Sequence, residues 1–261
     1  MSRFRELLRL RIMLFFNYRG SRGRKGRYLA ACIAFVLVGA CATASTISTF
    51  TSNDEGWTSL GFPNVAGAPD FALTPLNSGV TYNATGGDPG GYVSKQDPDG
   101  NWQYFSAPAA FLGDQSGAAG GNLTFEELII TTFGQPALNP QGPLVALTNG
   151  TLTLVYGGGG LTPAISGTAW NSLTVPLSAA LWKVSTPTGA VATSAQFNSV
   201  LSGLTGLFIL SDYWTGSASD GEIVGLDNVD LPGLVPEPGT ATGCLAGLWI
   251  MAGVLRKAKR R

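Results

Sequence analysis

The middle of this chain is written in short apolar runs separated by turn residues, and that pattern confines it to an antiparallel β architecture. The runs occupy residues 122–131, 144–148, 151–156, 172–177, 206–214 and 223–231. They are β-branched or alternate apolar with polar, as in Leu152-Thr153-Leu154-Val155 and Leu173-Thr174-Val175. Asn149-Gly150 between two runs predicts a tight type I′ hairpin. The four glycines at 157–160 have no following Lys-Ser or Lys-Thr, so they read as a flexible turn and not as a phosphate cradle. One helix stands out. Thr193 and Gln196 form a capping-box pair, Phe197, Val200, Leu201 and Leu204 make one apolar face, and Gly203 or Gly206 ends it. One short helix among many strands predicts a two-sheet sandwich.

Charge is divided along the chain. Residues 45–234 carry two cations, Lys95 and Lys183, against fourteen carboxylates, a net charge of −12. The neutral whole-chain balance comes from basic residues packed into the two ends. A middle with no Arg has no footprint for nucleic acid, and anionic lipid would repel it. The chain contains no His, which removes Ser-His-Asp and Cys-His catalysis and His-ligated zinc. Paired carboxylates stay open as a hydrolase alternative. Glu126-Glu127 is an adjacent pair within an apolar run, and it reads as ordinary strand acids facing opposite ways. The three cysteines, Cys32, Cys41 and Cys244, all lie in or beside the ends, so no disulfide is expected in the middle.

The ends read as addresses. Nine basic residues against Glu6 fill positions 3–27, an apolar core follows at 28–40, and Ala42 and Ala44 sit where signal peptidase reads small residues. The start is Met1 or, with a shorter leader, Met13. Val38-Gly39-Ala40-Cys41 also has the look of a lipoprotein box, which leaves lipidation of Cys41 open. At the other end, Pro236-Glu237-Pro238-Gly239 precedes an apolar run and five basic residues. As a helix, 239–255 would rise ~25 Å, slightly short of a bilayer core of ~30 Å. The basic stop keeps that end cytoplasmic, and the prolines hold the preceding backbone extended for a protease. This arrangement resembles the PEP-CTERM sorting signal of Gram-negative bacteria. The resemblance implies processing by an exosortase-type enzyme after a transient stay in the inner membrane, then release to the cell surface or extracellular matrix. A plain tail anchor is the alternative.

A second resemblance covers roughly residues 50–231. Its ordered matches include Asp54-Glu55-Gly56-Trp57, Trp102-Gln103-Tyr104-Phe105, Gly120-Gly121-Asn122-Leu123-Thr124-Phe125, Trp182, Ala195-Gln196-Phe197 and Leu226-Asp227-Asn228-Val229. This set resembles the laminin B (laminin IV type A) domain. It implies an all-β, antiparallel jelly-roll sandwich of the carbohydrate-binding-module or galactose-binding-like kind, with no enzymatic residues to carry over. The expected organisation is a signal peptide at 1–44, the sandwich at 45–232 and a sorting signal with a transmembrane helix at 233–261.

In such a sandwich the last strand runs beside the first. Asp227 could then share a Ca²⁺ with Asp54 or Glu55, or it could simply accept hydrogen bonds in a turn. The aromatics Trp57, Trp102, Tyr104, Trp170, Trp182, Tyr213 and Trp214 are core or, where they face outward, a stacking platform for sugars. The expected function is a non-enzymatic exported surface protein associated with exopolysaccharide or biofilm. A lectin-like carbohydrate-binding module is the alternative, and a carboxylate-dependent glycoside hydrolase a further one.

Overall fold

Fifteen strands and one α-helix build the domain in the computed structural model, which describes residues 45–65, 68–131, 142–157, 169–213 and 222–233. The signal-cleavage residues Ala42 and Ala44, the sorting residues Pro236 to Gly239 and the apolar run behind them lie outside the described residues, as does Trp214. Among the described residues no helix is long and apolar enough to cross a membrane.

The first sheet is formed by β1 (Thr46–Ser48), β6 (Thr81–Gly87), β7 (Gly90–Gln96), β9 (Asn122–Thr131), β12 (Asn171–Pro176) and β15 (Ile223–Leu231). Their order is β12-β9-β15-β7-β6, with β1 on the far end of β15. The second sheet holds β2 (Thr58–Phe62), β5 (Leu76–Ser78), β8 (Trp102–Ser106), β10 (Val145–Thr148), β11 (Thr153–Tyr156), β13 (Lys183–Val184) and β14 (Gly206–Leu210). Its order is β13-β11-β10-β14-β8-β2-β5. A small ribbon, β3 (Asn64–Val65) with β4 (Ala68–Pro69), stands apart. Every pairing between the strands is antiparallel, and spatial neighbours are mostly distant in sequence, as in a sandwich with crossing connections.

The sequence patterns account for this layering. In β9, Leu123, Phe125, Glu127 and Ile129 are buried, while Thr124, Glu126 and Leu128 turn outward, as a period of two demands. β14 reads Gly-Leu-Phe-Ile-Leu without alternation and is buried along its whole length, the pattern of a strand covered on both faces. The opening strand pairs with the closing one, Thr46 opposite Leu231.

The helix α1 spans Ser194–Leu201. Thr193 Oγ1 accepts from Gln196 N, and Gln196 Oε1 accepts from Thr193 N, so the predicted capping box is present. The helix buries Phe197, Val200 and Leu201 against β10 and β11 and stops with Ser202 at its C-cap. Trp182 is fully buried between the rings of Tyr156 and Phe197, at 5.6 and 5.7 Å, and donates its indole N–H to Pro176 O.

The Asn149-Gly150 turn differs from the expected two-residue hairpin. The closing pair is Thr148 with Thr153, so the loop has four residues. A type I′ turn needs positive φ at both central residues, and of the pair only Gly150 has it, at 82°. The Asn149 side chain instead accepts from Thr151 N and Leu152 N, which folds the chain into a longer Asx-type turn.

Two substitutions test this packing. Trp182→Ala removes a ring held on both sides and should cost ~3–5 kcal/mol in denaturant unfolding. Thr193→Ala removes only the cap and should cost ~1 kcal/mol.

Candidate functional site

Two carboxylates lie opposite each other on the outer face of the first sheet. The cross-strand register runs from Ser172 on β12 to Glu126 on β9 and on to Asp227 on β15. Beyond Asp227 the ladder between β15 and β9 shifts register, and Asn228 takes a left-handed φ of 48°. This bulge turns successive side chains toward the β6–β7 turn. Asp227 is fully buried. One of its oxygens accepts from Asp88 N and the other from Asn228 N, both at 2.7 Å. Asn228 Nδ2 donates to Asp88 O and, at 2.8 Å, to Glu126 Oε2, while Ser172 Oγ donates to Glu126 Oε1 at 3.1 Å. A Cβ at Gly87 would stand 2.5 Å from the Asp227 carboxylate, so only glycine lets the turn come this close.

Burial raises the Asp227 pKa most. The N–H groups of Asp88 and Asn228 oppose that rise, and the charges of Glu126 and Asp88 add to it. Asp54 and Glu55 occupy a turn of their own. Asp54 Oδ1 accepts from Gly56 N, Asp54 O accepts from Trp57 N, and Glu55 has a left-handed φ of 52°. That turn delivers Trp57 into the core, between Phe50 and Phe111. Among the described residues no three acids converge closely enough to hold a metal ion.

The structure sorts the aromatics. Trp57, Trp102, Trp182, Tyr104 and Tyr213 are core. Trp170 is half-buried and lies on the outer face of the first sheet with Tyr92, ring centroids 5.3 Å apart in a T-shaped pair. Its indole N–H donates to Gly86 O at 3.0 Å.

Glu127 points the other way from Glu126, into the sandwich. Tyr213 Oη donates to its Oε2, and Tyr213 N–H donates to both oxygens of the buried Glu222. Among the described residues Glu127 Oε1 finds no hydrogen-bond partner. Desolvation lifts the Glu127 pKa to about 8, and the Tyr213 hydrogen bond offsets it only in part. Sequence reasoning placed Glu127 as an ordinary strand acid and missed its burial. The signal was available, since Leu123, Phe125 and Ile129 share its parity in the strand.

The model of the Laminin B (Domain IV) family matches residues 104–241. The L4b domain of human laminin alpha-2 superposes with a TM-score of 0.51 at 13% identity, covering 73% of this chain and 97% of that domain. The family 11 carbohydrate-binding module of the cellulosomal cellulase Lic26A-Cel5E of Clostridium thermocellum gives a TM-score of 0.42 at 13% identity, covering 74% of this chain and 96% of that module. No curated protein matches the chain.

Glu127 makes stability depend on pH in a definite direction. Below about 4.5 the group is protonated in folded and unfolded chains alike and contributes no slope. Between there and about 8 the unfolded chain releases the proton while the folded one keeps it, so stability falls as pH rises. The slope from this group approaches ~1.4 kcal/mol per pH unit. Glu127→Gln keeps an acceptor for Tyr213 and removes the titration. Denaturant midpoints measured from pH 5 to 8 should flatten in this variant, which should exceed the wild type in stability at pH 8.

Proposed function

The chain belongs to the laminin B (domain IV) family, and from that premise we propose a non-enzymatic exported protein whose sandwich serves at the cell surface or in the extracellular matrix. The observation that carries the reading is the family match on an antiparallel sandwich. Two sequence features support it: the leader-like start with Ala42 and Ala44, and the Pro236-Glu237-Pro238-Gly239 stretch before an apolar run and a basic stop. On this reading signal peptidase removes 1–44, the 239–255 helix holds the chain briefly in the inner membrane of a Gram-negative cell, and an exosortase-type enzyme releases the 45–232 domain toward exopolysaccharide or biofilm. The chemistry of the outer face favours a non-catalytic role. Asp227, the carboxylate opposite Glu126, is buried with both oxygens taken by backbone N–H groups, so it has no access to a substrate.

Mass spectrometry of the native-host surface fraction should find a C-terminus near Glu237 or Gly239. Recovery of intact Arg261 in mature protein would reduce the end to a plain tail anchor.

A calcium ion shared by Asp227 with Asp54 or Glu55 would compete with the backbone N–H groups that Asp54 and Asp227 hold in two separate turns. It has a direct test. A site filled at a hundredfold excess over Kd would add ~2.7 kcal/mol, roughly 7 °C in a domain of this size. Millimolar Ca²⁺ should then raise the melt, chelator should lower it, and Asp227→Asn should abolish the difference. A melt indifferent to both leaves Asp227 as the anchor of the β6–β7 turn.

A further inference from the structure

We infer that the outer face of the first sheet, around Trp170 and Tyr92, binds a neutral polysaccharide. The inference rests on the reading of the domain as an exterior module and names what that module would recognise. It starts from a contrast in burial. The other described tryptophans are fully enclosed in the core, whereas Trp170 is only half-buried on a sheet face.

The ring is held in place. Its long edge faces the sheet, with Nε1 on Gly86 O and Cη2 3.0 Å from where a Cβ of Gly225 would stand. The same Cβ would approach the Tyr92 ring at 3.1 Å. Gly225 sits within β15 between the core residues Val224 and Leu226, so it faces outward at the one strand position where both rings need room. A glycine inside a strand weakens it and marks close approach. The T-shaped contact with Tyr92 engages at most one indole face, and the ring keeps part of its surface exposed. An aromatic face carries negative π density, which suits the C–H face of a sugar ring.

Polar groups flank the rings at fixed positions. The register places Asn83 opposite Tyr92. One strand beyond Asp227 comes the half-buried carboxylate of Glu126, oriented by Ser172 and Asn228. Aromatic rings with hydrogen-bonding side chains on the same sheet face offer the two kinds of contact a sugar ring can make. Carboxylate and amide groups accept from and donate to sugar hydroxyls. Charge narrows the class. A domain at −12 with no arginine repels uronates, sulfated glycans and nucleic acid. A neutral chain of pyranoses satisfies the rings and the polar flank together.

The test is affinity electrophoresis of the full chain in detergent, through gels containing neutral polysaccharides (a β-glucan, a xylan, a galactomannan, dextran) or the anionic alginate. At least one neutral polymer should retard the wild type, and alginate should not. Trp170→Ala should weaken retardation at least tenfold, and Trp170→Phe should restore part of it. Glu126→Gln leaves both rings in place and should weaken binding several-fold, so the outcome does not hang on one variant's folding. Circular dichroism melts accompany each variant. Retardation that is equal in wild type, Trp170→Ala and Glu126→Gln overturns the site. Absence of retardation by every neutral polymer, or retardation by alginate alone, overturns the ligand class. Surface protein processed near Glu237 without retardation defeats this inference and leaves the exported-domain reading standing. Retardation without export or processing does the reverse.

Discussion

The bulge at Asp227-Asn228 is the constraint on which the outer face depends. β15 is the hub of the first sheet, pairing with β9, β7 and β1. The register shift lets one stretch of this strand do two things. Val224, Leu226, Val229 and Leu231 stay in the core, while Asp227 and Asn228 reach the β6–β7 turn from below. Two backbone N–H groups satisfy the Asp227 carboxylate, which makes a buried acid tolerable without a cation beside it. Removing that acceptor would leave Asp88 N and Asn228 N without the carboxylate to which each donates. The turn it fixes carries Gly86, whose carbonyl receives the Trp170 indole. The ring's position is therefore set from a neighbouring register row, through the backbone.

Glu126 and Glu127 show how completely a pleat separates chemistry. One residue apart, Glu126 is part of a partly exposed hydrogen-bonded row, and Glu127 sits in the core with its pKa raised to about 8. A carboxylic acid that keeps its proton near neutral pH can be buried at far lower cost than a carboxylate. Tyr213 joins Glu127 to Glu222 through its hydroxyl and its amide, so the acids at that end of the sandwich share one polar network.

Much of this architecture was legible in the sequence. The runs at 122–131 and 223–231 coincide with β9 and β15, and the helix begins at its capping box. These features are local, since alternation and capping are decided within a few residues. The adjacency of the first and last strands followed from the family resemblance and is present. The features that failed to show are those set by neighbours distant in sequence. The hairpin after Thr148 lengthened because the Asn149 side chain bonds forward into the turn. Strand parity signals that Glu127 is buried, but its partner Tyr213 is 86 residues away and only the fold brings it there. Tyr92 carries no local signal, because its surroundings depend on Gly225 and Trp170, which the fold brings from two other segments.

The net charge of the domain overstates what its surface presents. Asp97, Glu127, Asp212, Glu222 and Asp227 are all buried, five of the fourteen acids between 45 and 234. Glu127 is neutral through most of the ordinary pH range, so the field outside is weaker than the composition implies. A surface of this kind still turns away polyanions. Recognition of an uncharged ligand on such a domain has to come from short-range shape, rings and hydrogen bonds, because the long-range field acts only on charged partners. The outer face of the first sheet provides those elements together: rings given room by glycine, and polar groups fixed by their own neighbours. That makes it a place where an uncharged ligand could be recognised at low cost in ordering the site.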